Sequence, residues 1–266
     1  MARIISIANQ KGGVGKTTTA VNLSASLAVA ERRVLLVDLD PQGNSTSGYN
    51  ISRDGVAKNI YHTIIGKARM GEIVRQTELE FLRIAPANQE LIGAEIELIN
   101  VISRETRLKN ALKEAADDYD YIIIDCPPSL GLLTVNALTA SDSIIIPLQC
   151  EYYAMEGLGQ LLKTVELVTE NINHQLKIEG ILLTMFDPRN NLSFQVKEEI
   201  DRHFASLRFK TVIPRSVRLS EAPSFGKPVL LYDITSKGAT SYIEMAKELL
   251  LKHKEKGITA NHGKKA

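Results

Sequence analysis

The chain has 266 residues, of which 44% are hydrophobic and 24% are charged, and its formal net charge is +1. This length suits one large α/β domain, and the near-neutral charge excludes any inference of a partner from overall charge. Two cysteines are too few for a disulfide framework, and no apolar run approaches the ~20 residues of a membrane span. We therefore expect a cytoplasmic protein without membrane association.

Seven short apolar segments predict β-strands. Most are rich in Ile, Val and Leu without polar alternation, which is typical of strands buried on both faces of a parallel sheet. Helical periodicity fills the segments between them, so the sequence predicts an α/β fold, a single-domain, mostly parallel twisted sheet with helices on both faces. This domain spans residues 1–256, and the polar segment 257–266 is predicted to be a disordered tail. The predicted strands are 3–9, 33–39, 81–86, 121–126, 143–148, 178–184 and 211–214.

A glycine-rich segment, ANQKGGVGKTTT at 8–19, follows the first predicted strand and precedes a predicted helix that starts near Lys16. It ends as the phosphate-binding loop G-x-x-x-x-G-K-[ST] does, but Gln10 occupies the position of the first glycine. The glycines that remain let backbone N–H groups approach phosphate oxygens at a helix N-terminus. We expect Lys16 to contact the β- and γ-phosphates and Thr17 to bind Mg²⁺. The predicted nucleotide-binding residues of the loop are Lys11, Gly12, Gly13, Val14, Gly15, Lys16, Thr17 and Thr18.

Lys11 adds a second cation to this loop. Negative charge builds up during phosphoryl transfer, and a further cation stabilises it, as arginine fingers do. Because Lys11 lies early in the loop, its side chain can point away from its own nucleotide and reach a nucleotide on a facing subunit. The alternative is an ordinary solvent-exposed loop lysine. The position of Lys11 within the glycine run favours the first interpretation.

Acidic residues end two of the predicted strands. Asp38 and Asp40 follow the second strand, where a parallel sheet presents catalytic groups, and Asp40 leads into the polar, turn-rich segment 40–55. We predict that Asp40 orients the attacking water or a metal-bound water, with a turn-capping role as the alternative, and that Asp38 is structural. Asp125 follows the apolar run YIII, which is typical of a Walker B aspartate that acts on Mg²⁺. The predicted metal-binding residues are Thr17, Asp40 and Asp125, and the predicted catalytic residues are Lys11, Lys16 and Asp40.

These motifs together resemble those of a known group of ATPases. KGGVGKT is similar to the deviant Walker A box of the ParA/MinD family of P-loop NTPases. The similarity extends over nearly the whole chain and is greatest to the chromosomal ParA/Soj subgroup. The segments that carry it are 11–17, 37–48, 121–131, 146–158 and 212–229.

The resemblance implies an ATP hydrolase for chromosome partition, with ATP and Mg²⁺ as cofactors. Two subunits would enclose ATP in a homodimer in which Lys11 acts across the interface, and Asp40 would be the switch residue for hydrolysis. The dimer would bind double-stranded DNA of the nucleoid without sequence preference, and a ParB/Spo0J-like centromere-binding protein would stimulate hydrolysis and release it. A MinD-like membrane-associated regulator of division-site placement is the alternative. The segment 261–266, NHGKKA, lacks the apolar face of a terminal membrane-binding helix.

Two further sets of residues follow from the resemblance and from local charge. In the family, strand-end segments that match Met185 and Pro214 flank the adenine, and Ser216 stands where asparagine is common. Residues 202–227 carry six basic side chains against one acid, which predicts contacts to DNA phosphates without base readout. The alternative is a solvated charged face. The candidate DNA-binding residues are Arg189, Arg215, Arg218 and Lys227.

Overall fold

The structure is a computed structural model that describes residues 2–53, 55–152 and 154–262, with side chains described as far as residue 254. Its centre is a seven-stranded sheet in the order β3-β4-β2-β5-β1-β6-β7. Every neighbouring pair is parallel except β3 with β4. The mostly parallel α/β fold predicted from the sequence is therefore confirmed. The strands are β1 (Arg3–Ile7), β2 (Val34–Asp38), β3 (Arg75–Gln76), β4 (Leu82–Ala85), β5 (Tyr121–Asp125), β6 (Ser143–Gln149) and β7 (Lys177–Thr184).

Helices cover both faces of this sheet. Short 3₁₀ turns at Arg104–Thr106 and Ala222–Phe225 precede or follow some of them. The α-helices are α1 (Lys16–Val29), α2 (Asn44–Ser47), α3 (Ile60–Ile64), α4 (Met70–Ile73), α5 (Leu91–Glu97), α6 (Arg107–Lys113), α7 (Leu132–Ala140), α8 (Ala154–Asn171), α9 (Asn191–Phe204), α10 (Val217–Glu221), α11 (Val229–Tyr232) and α12 (Lys237–His262).

Two hydrophobic cores lie on opposite faces of the sheet because side chains alternate along each strand. On one face, Ile5 and Ile7 of β1 pack with residues of α1 and α12 such as Leu23 and Tyr242. On the other face, Ile122 and its neighbours pack with residues of α3 and α5 to α9. The central strands are buried on both faces, which explains why their sequences are continuous apolar runs.

Two strand predictions differ from the structure. The segment 211–214 is not a strand: its pairing with the chain after β7 is confined to Ile213, one bridge at Pro214 and the N–H of Arg215, and α10 begins soon afterwards. The edge strand β3 was not predicted, because its two residues are polar and carry no apolar signal.

The C-terminal helix α12 continues to His262. The first six residues of the segment predicted to be a disordered tail, 257–262, are therefore helical, and 263–266 lie outside the described residues. Within the described ranges, no helix combines the length and apolarity that crossing a membrane requires.

Candidate nucleotide-binding site

The predicted site residues meet at the carboxyl edge of the sheet. β1 lies between β5 and β6 near the centre of the sheet, and the glycine-rich loop follows it directly. Asp125 ends β5 in register with Ile7 on one side and Asp38 on the other. This is the edge at which open parallel sheets bind ligands, close to the place where the strand order reverses.

The backbone of the loop adopts conformations that its glycines allow. Gly13 and Gly15 have φ of +77° and +89°, in the left-handed region that other residues rarely enter. The Thr184 hydroxyl at the end of β7 donates to the carbonyl of Val14 at 2.8 Å. The amide of Asn9 donates to the carbonyl of Pro147 at 2.8 Å. The loop is thus attached to two neighbouring strand ends, and α1 begins at Lys16 as predicted.

Lys16 places an amine inside the loop. Its residue is only 6% exposed, and Nζ donates to the carbonyl oxygen of Lys11 at 2.8 Å. Burial lowers the pKa of Lys16, because the charged form is desolvated, while the nearby Asp125 and Asp40 carboxylates act in the opposite direction. A buried cation at a helix N-terminus is a site that favours an anion such as a phosphate.

The side chain of Lys11 is directed elsewhere. Its Nζ forms an ion pair with Glu151, just after β6, and 40% of the side chain is exposed. The backbone N–H of Lys11 donates to Oδ1 of Asn9 at 3.0 Å. Lys11 therefore lies at the outer surface of the loop. Sequence reasoning missed Glu151, since the two residues are 140 positions apart and no local pattern joins them.

Asp38 binds helix α2 to the sheet. Its Oδ2 accepts hydrogen bonds from the backbone N–H and the hydroxyl of Thr46, at 2.8 and 2.7 Å. The same hydroxyl accepts the N–H of Ala87 at 2.9 Å. Burial raises the pKa of Asp38 above its usual value, and the Thr46 donors oppose that rise. These contacts support the prediction that Asp38 is structural.

Asp125 has one engaged and one open oxygen. Oδ2 accepts a hydrogen bond from the Ser45 hydroxyl at 2.8 Å, whereas no donor among the described residues reaches Oδ1 in hydrogen-bond geometry. Burial, followed by the charge of Asp38, raises the pKa of Asp125, and the hydroxyls of Ser45 and Thr17 lower it. Thr17 therefore lies beside the carboxylate, as the predicted Mg²⁺ site requires.

The donor set fits Mg²⁺ better than a metal held by the protein alone. In the part of the chain that the structure describes, no group of three or more His, Cys, Asp or Glu side chains is arranged to hold a metal ion. Mg²⁺ in nucleotide sites is usually held by one or two carboxylates together with phosphates and water. The open oxygen of buried Asp125 beside Thr17 matches that requirement.

Asp40 forms a turn at the start of the polar segment. Its Oδ1 accepts the N–H of Gln42 at 2.9 Å, and its carbonyl accepts the N–H of Gly43 at 2.9 Å. Gly43 has φ of +61°, and a Cβ there would lie 2.8 Å from the carbonyl oxygen of Ala87, so glycine is required. Asp40 makes the turn contact that was the alternative prediction. It also lies close enough to Lys16 and Asp125 to affect the pKa of both.

A cavity of about 300 Å³ joins the loop to the predicted base-binding residues. Gly15 and Thr18 line one side, and Met185, Pro214 and Ser216 line the other. Met185 has φ of +50°, an unusual conformation for a residue with a side chain, at the point where β7 ends. The structure thus brings the predicted base contacts to the phosphate loop.

The candidate DNA-binding arginines have acidic partners that the local charge count missed. Arg189 pairs with Asp187 at 2.8 Å, and Arg218 pairs with Glu221 at 2.9 Å and with Asp233 at 3.2 Å. The Arg189 guanidinium holds the pKa of Asp187 well below its usual value. Two other basic residues of 202–227 also have acidic partners. They are Arg202, with Glu199, and Arg208, with Asp201.

The other two candidates differ from these arginines. Arg215 and Lys227 form no ion pair within the ranges 2–53, 55–152 and 154–254, for which side chains are described. The N–H of Arg215 donates to the carbonyl of Phe186 at 3.0 Å, which places Arg215 near the turn that carries Arg189. The basic cluster is therefore real in space, but it is partly neutralised.

Comparison with known proteins gives three consistent results. A family profile described as an AAA domain matches residues 2–178. The chain is 58% identical over 250 residues to the chromosome partitioning protein ParA of Myxococcus xanthus, covering 94% of this chain and 88% of that protein. It is 59% identical over 249 residues to the sporulation initiation inhibitor protein Soj of Bacillus subtilis, covering 94% and 98%.

A solved structure also matches over almost the full length. It is cobyrinic acid a,c-diamide synthase from Mycobacterium smegmatis with a bound ATP analogue and magnesium. The two chains are 39% identical, the match covers 97% of each, and the TM-score is 0.85.

Proposed function

Since the chain belongs to the ParA/MinD family of ATPases, in its ParA/Soj group, we propose that it hydrolyses ATP to partition chromosomal DNA. The identity to the two partition-type relatives, 58% and 59%, exceeds the 39% identity to the synthase, which favours partition over a synthase activity. The observation that carries the nucleotide part of the proposal is the buried Lys16 amine, set between the glycine loop and Asp125.

We assign the residues of this site to ATP and Mg²⁺ as follows. Lys16 and the backbone N–H groups of the loop bind the phosphates, and the cavity beside Gly15 accepts the base. Thr17 and the open oxygen of Asp125 hold Mg²⁺, which neutralises phosphate charge when it is bound. Asp40 orients the attacking water. Replacement of Asp40 with Ala should then preserve ATP binding but stall turnover, and unchanged turnover would refute that role.

We further propose that ATP binding produces a homodimer in which Lys11 acts on the partner's nucleotide. Two observations support this. The Lys11 side chain lies on the outer surface of its loop, paired with Glu151. A Cβ added to Gly12 would meet only the Cβ of Pro128, at an ordinary 3.9 Å. The chain's own packing therefore does not require glycine at position 12, so any requirement must come from the nucleotide or from a second subunit.

The dimer proposal is tested with two loop variants and a control. We expect Lys11→Ala and Gly12→Val to bind ATP but remain monomeric, whereas Lys67→Ala, an exposed lysine elsewhere, should dimerise normally. Size-exclusion chromatography with light scattering, in the presence of Mg-ATP, gives the masses. A normal ATP dimer in either loop variant would show that Lys11 does not act across the interface.

The dimer is proposed to bind double-stranded DNA of the nucleoid without sequence preference, through Arg189, Arg215, Arg218 and Lys227. A ParB/Spo0J-like partner bound at centromere-like sites then stimulates hydrolysis and releases the dimer. The decisive experiment measures binding to a plain DNA duplex with ATP, with ADP and without nucleotide, and then adds a ParB-like protein. We expect binding only with ATP, reversed by the partner. Nucleotide-independent binding, or indifference to the partner, would contradict the proposal.

A further inference from the structure

We propose that Ser45 is a positioning residue for the Asp125 carboxylate, and this inference rests on the proposed role of Asp125 at Mg²⁺. The Ser45 hydroxyl donates to Oδ2 of Asp125 at 2.8 Å, and both residues are fully buried. A carboxylate has two oxygens in one plane, so a hydrogen bond to one oxygen restricts rotation and determines where the other points. Here the other oxygen, Oδ1, is the one that no described donor reaches in hydrogen-bond geometry.

Ser45 is itself held in place from two sides. It lies in α2, whose start is set by the left-handed backbone of Gly43. The next residue, Thr46, makes two hydrogen bonds to the buried Asp38 carboxylate, at 2.8 and 2.7 Å. The Ser45 hydroxyl therefore has little freedom to leave Asp125. Groups that orient a metal-binding side chain in this way commonly affect metal affinity strongly.

The same contact connects two parts of the site. Ser45 belongs to the segment that begins with Asp40, whereas Asp125 belongs to β5. A displacement of α2 away from the sheet would break the Ser45 bond and release the carboxylate. The orientation of the Mg²⁺-binding group thus depends on the placement of the segment that carries the proposed water-orienting residue.

A purely structural hydrogen bond would behave differently. Its loss would lower the stability of the fold and would weaken nucleotide binding equally with and without Mg²⁺. A positioning role predicts instead that the loss is confined to the Mg²⁺-dependent part of binding. The test therefore has to separate the two parts.

The experiment measures the affinity of a fluorescent ATP analogue in EDTA and across a Mg²⁺ titration. Ser45→Ala removes the donor, Ser45→Cys keeps the size with a weaker donor, and Ser45→Thr keeps the hydroxyl. Ser47→Ala is the matched control, because Ser47 lies in the same helix and its hydroxyl donates only to the backbone carbonyls of Gly43 and Asn44, both at 3.2 Å. The melting temperature of each variant reports on folding.

We expect Ser45→Ala to need about 10-fold more Mg²⁺ for half-maximal binding, while its affinity in EDTA stays within about twofold of the unmodified protein. Ser45→Cys should be intermediate, and Ser45→Thr and Ser47→Ala should be close to unmodified. In an Asp125→Asn background, Ser45→Ala should add no further change in the Mg²⁺ requirement. An equal loss with and without Mg²⁺, or an unchanged Mg²⁺ requirement in both Ser45→Ala and Ser45→Cys, would overturn the inference. Failure of the unmodified protein to bind the analogue would refute the proposed function instead.

Discussion

Replacement of Thr46 with Val removes one buried hydroxyl and preserves the shape of the side chain. That hydroxyl donates to Oδ2 of Asp38 at 2.7 Å and accepts the N–H of Ala87 at 2.9 Å. An orphaned buried donor costs about 1–3 kcal/mol, and a hydrogen bond to a charged group contributes about 1.5–3 kcal/mol. We therefore expect Thr46→Val to lower the free energy of unfolding by about 3 kcal/mol or more. At ~2–4 °C per kcal/mol for a chain of this size, the melting temperature should fall by about 6–12 °C.

The matched control is Thr46→Ser, which keeps the hydroxyl and loses only a methyl group. Its cost should be about 1 kcal/mol, from the lost apolar burial. Urea unfolding followed by circular dichroism, without nucleotide, gives both free energies. If the Val and Ser variants differed by less than about 1 kcal/mol, the hydroxyl would not be the group that attaches α2 to the sheet, and the reasoning would fail.

Three more predictions follow from charges in the structure. Lys16→Met should raise the melting temperature of the nucleotide-free protein, because it removes a desolvated cation, and should abolish stabilisation by Mg-ATP; a variant still stabilised by Mg-ATP would contradict the site. Arg33 holds the pKa of Asp120 below its usual value, so this pair contributes stability above about pH 4 that is lost as the pH falls, and Asp120→Asn should reduce the difference in melting temperature between pH 7 and pH 3; an unchanged difference would exclude the pair as its source. Arg189→Ala and Arg218→Ala should each reduce the salt dependence of DNA binding by about 0.9 in the slope of log affinity against log salt, equally for two unrelated duplexes, without affecting ATP-driven dimerisation; a sequence-dependent loss, or an unchanged slope in both, would leave these residues as a solvated face.

Features encoded by neighbouring residues were predictable from the sequence. The apolar runs that became β1, β2, β5, β6 and β7 are strands buried on both faces, and burial of this kind leaves a local signature. The start of α1 at Lys16 follows from the glycines before it. The aspartates meet because they end parallel strands that pair in register, so the sheet topology alone brings Asp38 beside Asp125.

Contacts between distant residues were not predictable. Ser45 meets Asp125 across 80 positions, and Lys11 meets Glu151 across 140. No periodicity or composition joins such pairs, since each depends on which loops the sheet order makes adjacent. The same limit explains the strand predicted at 211–214: its apolar residues are buried beside β7, but the chain turns into α10 before a ladder can form.

The basic cluster shows what this limit means for the proposed DNA contacts. Counted along the sequence, residues 202–227 carry six bases and one acid. In space, Asp187 and Asp233 lie beside Arg189 and Arg218, so these side chains can bind a phosphate only while they share or exchange a carboxylate. Exposed pairs of this kind are weak, at about 0–1 kcal/mol, so the exchange is inexpensive but leaves a modest net gain for each contact. One subunit then presents too little uncompensated charge to hold DNA at physiological salt. Two subunits joined by ATP double the number of contacts on one duplex, so DNA binding would depend on nucleotide even if the basic face itself did not change shape.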